Sequence, residues 1–260
     1  MSIGIYDCFG YGAGYDVPFT ERYRLIKEAG FDSVMLWWSE RFGRGEGYRE
    51  DAELARNAGL SIENMHAPVH EQNSLFAKSE EGENVFRDYL QCVEDCRTYR
   101  IPTIVIHLPD DEFPINDTGV ERLGEIIGKA SGYGVNVAFE NLRNIRNLSY
   151  VMEHFPFTNV GVCYDSCHNA NYSPGTDLTA LYGNRLKALH LHDNGGIRNQ
   201  HRLPFDGNID WNTLAGRLKA VGYRGAITLE PMNWDYMDMG IRGFLTLAYE
   251  KARKLEQMIL

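Results

Sequence analysis

One arrangement recurs along this chain: an amphipathic stretch, a small or glycine-containing turn, then a short run rich in Val, Ile and Leu. That is the pattern of a β/α unit. Thr20 to Ala29 (TERYRLIKEA) begins on a candidate N-cap, Thr20, and stops at Gly30, after which Phe31 to Trp38 (FDSVMLWW) reads as a strand. Glu50 to Ala58 repeats the unit, with Gly59 ending the helix and Leu60 to His66 following. Glu83 to Tyr99 places Val85, Tyr89, Val93 and Cys96 on one face, and Ile101 and Pro102 break it before Thr103 to Leu108 (TIVIHL). Val135 to Glu140, the run from Val160, the run from Arg185 and Ala226 to Pro231 continue the series. With Ile3 to Phe9 as the first, the count is eight strands.

Strands apolar on both faces and separated by helices imply a parallel sheet with helices outside it. Eight units in 260 residues match the ~250 residues typical of a TIM barrel. The expected fold is therefore α/β, a (β/α)8 TIM barrel, as one domain over residues 1–260. An open doubly wound sheet is the alternative, but no glycine-rich phosphate loop of the GxGxxG or GxxxxGK[ST] kind favours it.

Composition narrows the function classes. With 43% hydrophobic and 24% charged residues the chain suits one large core. No run of ~18 apolar residues suggests a membrane span. The opening Met-Ser-Ile-Gly-Ile-Tyr-Asp has neither region of a signal peptide, so a cytoplasmic location is expected. The five cysteines are odd in number and form no CxxC pair, which argues for reduced thiols, with Cys92 and Cys96 packed in the core and Cys163 and Cys167 flanking Asp165. A net charge of −10 disfavours nucleic acid and anionic lipid as partners. A homo-oligomer is left open.

In a parallel barrel the functional groups project from the C-terminal strand ends. Here strand three ends at His66, strand four at His107, strand five at Glu140, strand six at Asp165 with His168 just beyond, strand seven at His190 and strand eight at Glu230. Carboxylates and imidazoles converging in a low-dielectric cup repel or stay unpaired without a cation. The mixed oxygen and nitrogen set suits a divalent metal such as Zn, Mn or Co. His66 and His107 either extend the cluster to a second ion bridged by Glu140 or hydrogen-bond a substrate. Trp37 and Trp38 at the end of strand two, Tyr6 and Phe9 near the end of strand one, and Trp234 after strand eight are candidate pocket walls.

Six segments together resemble the xylose isomerase-like barrel superfamily: His66-Ala67-Pro68, Val105-Ile106-His107, Phe139-Glu140-Asn141, Tyr164-Asp165-Ser166-Cys167-His168, His190-Leu191-His192-Asp193-Asn194 and Leu229-Glu230-Pro231. That superfamily includes ketose 3-epimerases, hydroxypyruvate isomerase, inosose dehydratase and the endonuclease IV group. The resemblance implies a metal site of Glu140, Asp165, His190 and Glu230, with His168 at a position that touches substrate in the sugar enzymes and zinc in the endonucleases. His190 is taken over His192 because a His-x-x-acidic pattern then places Asp193, which leaves His192 on the opposite strand face. Two departures stand out. Asn199-Gln200-His201 keeps the histidine of an endonuclease Asp-x-His pair and loses its carboxylate, and Arg146 and Gly196 replace substrate contacts of the ketose 3-epimerases. Arg198 or Arg202 could take over, toward a phosphate or carboxylate on the substrate.

The expected activity is a metal-dependent isomerase or epimerase of a small sugar or sugar-like hydroxy-ketone, working through a metal-stabilised enediolate with Glu140 and Glu230 as acid/base pair. His66, His107, His168, Trp38, Arg198 and His201 are the expected substrate contacts. The rivals are an endonuclease IV-like zinc phosphodiesterase acting on abasic DNA, and a sugar-binding protein without turnover.

Overall fold

Strands that are apolar on both faces need cover on both faces, and the chain provides it by setting helices between them. The computed structural model describes residues 1–38, 49–69, 71–109, 113–196 and 200–260. Its strands are β1 (Ile3–Tyr6), β2 (Ser33–Trp37), β3 (Ser61–His66), β4 (Thr103–Ile106), β5 (Asn136–Glu140), β6 (Val160–Asp165), β7 (Leu186–His190) and β8 (Ile227–Leu229). They form one sheet in the order β7-β6-β5-β4-β3-β2-β1-β8, with parallel ladders. The ring closes between β7 and β8 just past the end of β7. There the Leu191 amide donates to the Thr228 carbonyl at 3.0 Å and the Glu230 amide to the Leu191 carbonyl at 3.0 Å. The expected (β/α)8 barrel is the observed one.

Helices α1 (Phe19–Glu28), α2 (Asp51–Asn57), α3 (Glu80–Thr98), α4 (Asp117–Gly132), α5 (Ile145–His154), α6 (Ser166–Tyr172), α7 (Leu178–Tyr182), α8 (Trp211–Ala220) and α9 (Ile241–Ile259) accompany the strands. Thr20 is not the cap of α1: the helix starts at Phe19, and the Pro18 carbonyl accepts the Arg22 amide at 2.9 Å, so Thr20 lies inside the first turn. Gly30 (φ 109°) and Gly59 (φ 83°) end α1 and α2 in the left-handed region, where a Cβ is unwelcome. Helix α3 begins three residues before the expected Glu83, because the Ser79 hydroxyl accepts the Gly82 amide at 3.1 Å and Glu80, Glu81 and Glu83 suit the positive helix end. Its inner face carries Val85, Tyr89, Cys92, Val93 and Cys96, all buried.

The main core lies between the sheet and the helices. Inside the barrel a second layer of small side chains, Val105, Ala138, Cys163 and Ala188, forms a floor. Because strand side chains alternate, the residues two places on point inward directly above it: His107, Glu140, Asp165 and His190. A third cluster, Tyr6, Cys8, Met35 and Trp37, fills the β1–β2 side of the interior. Among the described residues no helix is long and apolar enough to cross a membrane.

Candidate active site

Backbone braces set the strand ends before any ligand arrives. Asn141, next to Glu140, accepts the Asp165 amide at 2.7 Å and donates to the Asp165 carbonyl at 2.9 Å, which locks β5 against the end of β6. Asp165 is also the N-cap of α6: its Oδ1 accepts the His168 amide at 2.6 Å. Asp193 accepts the Ile209 amide at 3.1 Å and the Trp211 indole at 2.6 Å, so it anchors the loop after β7.

On this frame the polar groups form one buried bowl. Glu140 Oε2 lies 3.1 Å from His190 Nδ1, 3.2 Å from His66 Nε2 and 3.3 Å from His107 Nε2, and its Oε1 is 2.8 Å from His168 Nδ1. Asp165 Oδ2 is 2.8 Å from His192 Nε2. Glu230 Oε2 stands 3.6 Å from both His190 Nδ1 and His192 Nε2. His201 contacts the Glu230 carbonyl through Nδ1 at 2.9 Å and stacks on His192 at 4.0 Å.

Burial and mutual charge pull these groups apart. Burial would raise Glu140, yet the imidazoles of His107, His168 and His190 hold it well below the usual carboxylate range. Glu230 goes the other way, raised by burial and by the charges of Glu140 and Asp165. Burial disfavours a charged His168, but Asp165 and Glu140 outweigh it and push the imidazole up to about 9. Burial lowers His107 and His190, and burial together with His192 takes His201 down to about 3.

The donor set fits a divalent cation. His66 Nδ1 is 2.7 Å from the Ala67 carbonyl, so Nδ1 is the donor there and Nε2 is the nitrogen turned toward Glu140. The buried His107 Nε2 finds no well-aligned hydrogen bond. Two tetrahedral ligand atoms each about 2.1 Å from one cation stand roughly 3.4 Å apart, and the 3.1, 3.2 and 3.3 Å spacings around Glu140 Oε2 come close to that. Asp165, His190 and Glu230 have ligand atoms within 4.8 Å of one another, as do His66, His107 and Glu140, and Glu140, Asp165 and His168. Cys163 forms a similar group with Glu140 and His190, and in the metal-free site burial pushes its thiol up.

Several expected contacts fall elsewhere. Trp38 points out of the barrel into the main core, where its indole donates to Asp95 Oδ2 at 2.5 Å; Trp37 takes the inward place and stacks on His66 at 4.7 Å. Phe9 likewise packs outward against Phe244 at 5.4 Å, whereas Tyr6 faces in. Trp234 meets His201 edge-on at 5.7 Å. His192 is not on the opposite strand face: it is two residues from His190 and shares the bowl with it. Arg202 is engaged by Asp235 and by the Asp206 carbonyl at 3.3 Å. Arg198 and Asn199 lie outside the described residues. Beside the bowl, sharing only His107 and His168 with it, lies a cavity of about 780 Å³ whose wall also includes Tyr172 and Arg143. The last two escaped the sequence reading, although Tyr172 stands one helical turn after His168.

Residues 23–247 match the family described as xylose isomerase-like TIM barrel. A Sinorhizobium fredii protein, uncharacterized protein y4fM, is 38% identical over 102 residues, which is 38% of this chain and 32% of that protein. The alignments to the curated relatives span less than two thirds of those proteins' lengths. Among solved structures, a D-tagatose 3-epimerase-like protein superposes with a TM-score of 0.80 at 19% identity, covering 100% of this chain and 98% of the other. An IolI protein with a bound zinc atom superposes with a TM-score of 0.77 at 17% identity, covering 100% and 98%. At these identities the likeness is one of fold.

Proposed function

Since the chain belongs to the xylose isomerase-like TIM barrel family, we propose that it is a metal-dependent isomerase or epimerase of a small sugar or sugar-like hydroxy-ketone. The observation that carries this reading is the pair of buried glutamates, Glu140 from the end of β5 and Glu230 just after β8, which approach the same His190 nitrogen at 3.1 and 3.6 Å. The epimerase and zinc named for similar structures agree with it.

Glu140, Asp165, His190 and Glu230 would hold the cation, of the Zn, Mn or Co class. When bound, it supplies a Lewis acid for a carbonyl and its neighbouring hydroxyl. The chain's own residues do the rest. Glu140 and Glu230 reach the bowl from different strands and so can address different faces of a substrate carbon. Removal of a proton by one and delivery by the other inverts that carbon; return by the same carboxylate to the adjacent carbon, with the hydroxyl proton passing to the former carbonyl oxygen, isomerises. His107 and His168, which line the cavity, are placed to hydrogen-bond hydroxyls. Tyr6 and Trp37 exclude water from the β1–β2 side.

Metal-loaded protein incubated with ketoses in D2O should build deuterium into the carbon beside the carbonyl. Glu140→Gln that still retains its metal should lower that exchange by roughly 10²- to 10⁴-fold; undiminished exchange in the metal-replete variant overturns the assignment. One observation favours a second reading. The His66, His107 and Glu140 group offers a further cation position sharing Glu140, as an endonuclease IV-like phosphodiesterase would use. Chelator-sensitive incision of abasic DNA by the purified protein would put that reading first.

A further inference from the structure

We infer that the protein has a second small-molecule site, behind the bowl, for a neutral polyhydroxylated ligand. Between α6, the loop after β7 and the start of α8 lies a cavity of about 470 Å³ that shares no lining residue with the bowl or with the cavity beside it. Ser166 is part of the partition: its hydroxyl donates to the His192 carbonyl at 2.7 Å and accepts the His192 amide at 3.0 Å. A molecule held there touches neither Glu140 nor Glu230. It is a second ligand rather than a substrate of the bowl, and the site goes beyond the isomerase reading.

Much of the polar wall is already matched. Asn169 gives its amide to the Ser173 carbonyl at 3.0 Å and takes the Tyr164 hydroxyl at 3.0 Å, and Asn194 spans Cys167 and the Gly196 amide. Three groups are not matched. The buried Nδ2 of Asn171, on α6, has no hydrogen-bond partner, and an amide left so costs free energy until an acceptor arrives. The Asn208 side chain makes no hydrogen bond among the described residues. Arg217, on α8, gives its Nε to Asp177 at 2.9 Å, which leaves the terminal nitrogens of its fork to a ligand.

The mixture of these groups selects the chemistry. Amide side chains both donate and accept, and a guanidinium only donates. Asp210, the N-cap of α8, accepts the Thr213 amide at 3.0 Å and hydroxyl at 2.7 Å and has lone pairs to spare. One positive and one negative side chain in the wall leave no net charge to favour an ion: an anion meets Asp210 and a cation meets Arg217. Hydroxyl groups, each donor and acceptor at once, satisfy both ends. Pro174, Ile209 and Leu214 add an apolar strip for the C–H face of such a molecule.

The test titrates zinc-loaded, ¹⁵N-labelled protein with sorbitol and with methyl α-D-glucopyranoside and follows the side-chain amides of Asn171 and Asn208 by NMR. Neither probe has a free carbonyl, so neither can turn over in the bowl, and the result stands apart from the fate of the isomerase reading. At least one probe should shift both amides saturably. Arg217→Met should weaken that binding by roughly 10- to 100-fold, the size of a hydrogen bond to a charged group, and Asn171→Leu, followed at Asn208, by roughly 10-fold. No saturable shift from either probe, or an affinity that survives both substitutions, overturns the site. Inorganic phosphate or ammonium shifting the same amides at lower concentration than the polyols overturns the neutral ligand class.

Discussion

Two arcs of the barrel mouth are built from opposite materials. From β5 round to β8 the inward residues are Glu140, Asp165, His190, His192 and Glu230, above a floor of small side chains. Across β1 and β2 they are Tyr6, Met35 and Trp37, packed edge to face with Tyr6 and Trp37 6.2 Å apart. The first arc keeps charges close that would separate in water; the second supplies the dry wall that makes those charges interact strongly. His66 joins the two, since it touches Glu140 on one side and stacks on Trp37 on the other.

If the aromatic arc is a packed wall, Trp37→Ala should cost about 3–5 kcal/mol of stability in denaturant titration, the usual range for a buried tryptophan, while metal stoichiometry stays as in wild type. A change in metal content without a change in stability would break the division of labour. On the charged arc, Asp165→Asn keeps an oxygen to cap α6 but loses the charge. It should weaken metal binding by more than roughly 100-fold, the upper end of what losing a merely supporting group costs, with little change in helix content; equal affinity in a metal competition assay would remove Asp165 from the ligand set. A third effect concerns protonation. His168 is raised to about 9 in the folded metal-free protein against an ordinary 6.5. Its contribution is complete below 6.5 and lost as pH climbs through about 9. In the absence of metal, the stability gap between wild type and His168→Gln should narrow over that interval, and a gap independent of pH would show that His168 carries no extra proton.

The barrel and most of its polar rim were legible because they depend on local pattern. Apolar runs gave the strands, and each run closed on the residue that now faces the bowl. Parity was harder. Trp37 and Trp38 are adjacent, and only one can face inward; β2 alternates strictly, with Met35 and Trp37 in the interior and Val34, Leu36 and Trp38 in the main core, so what the apolar run withheld was which parity faces in. His192 was misplaced for a different reason. Its spacing of two from His190 already put both on one side, but the pattern that singled out His190 drew attention from that rule. Arg143 and Tyr172 were invisible for a third reason: one lies in a turn and the other on a short helix, and only the folded barrel brings them together.

The closure between β7 and β8 has a mechanical meaning. The ring is joined there through Leu191, and His190 and Glu230 stand on its two sides. Any ligand held by both residues ties the two ends of the sheet together. Filling the bowl and fastening the barrel are then one event, so the cost of prising the ring apart would rise with occupancy, and the amides of Leu191 and Glu230 would report it.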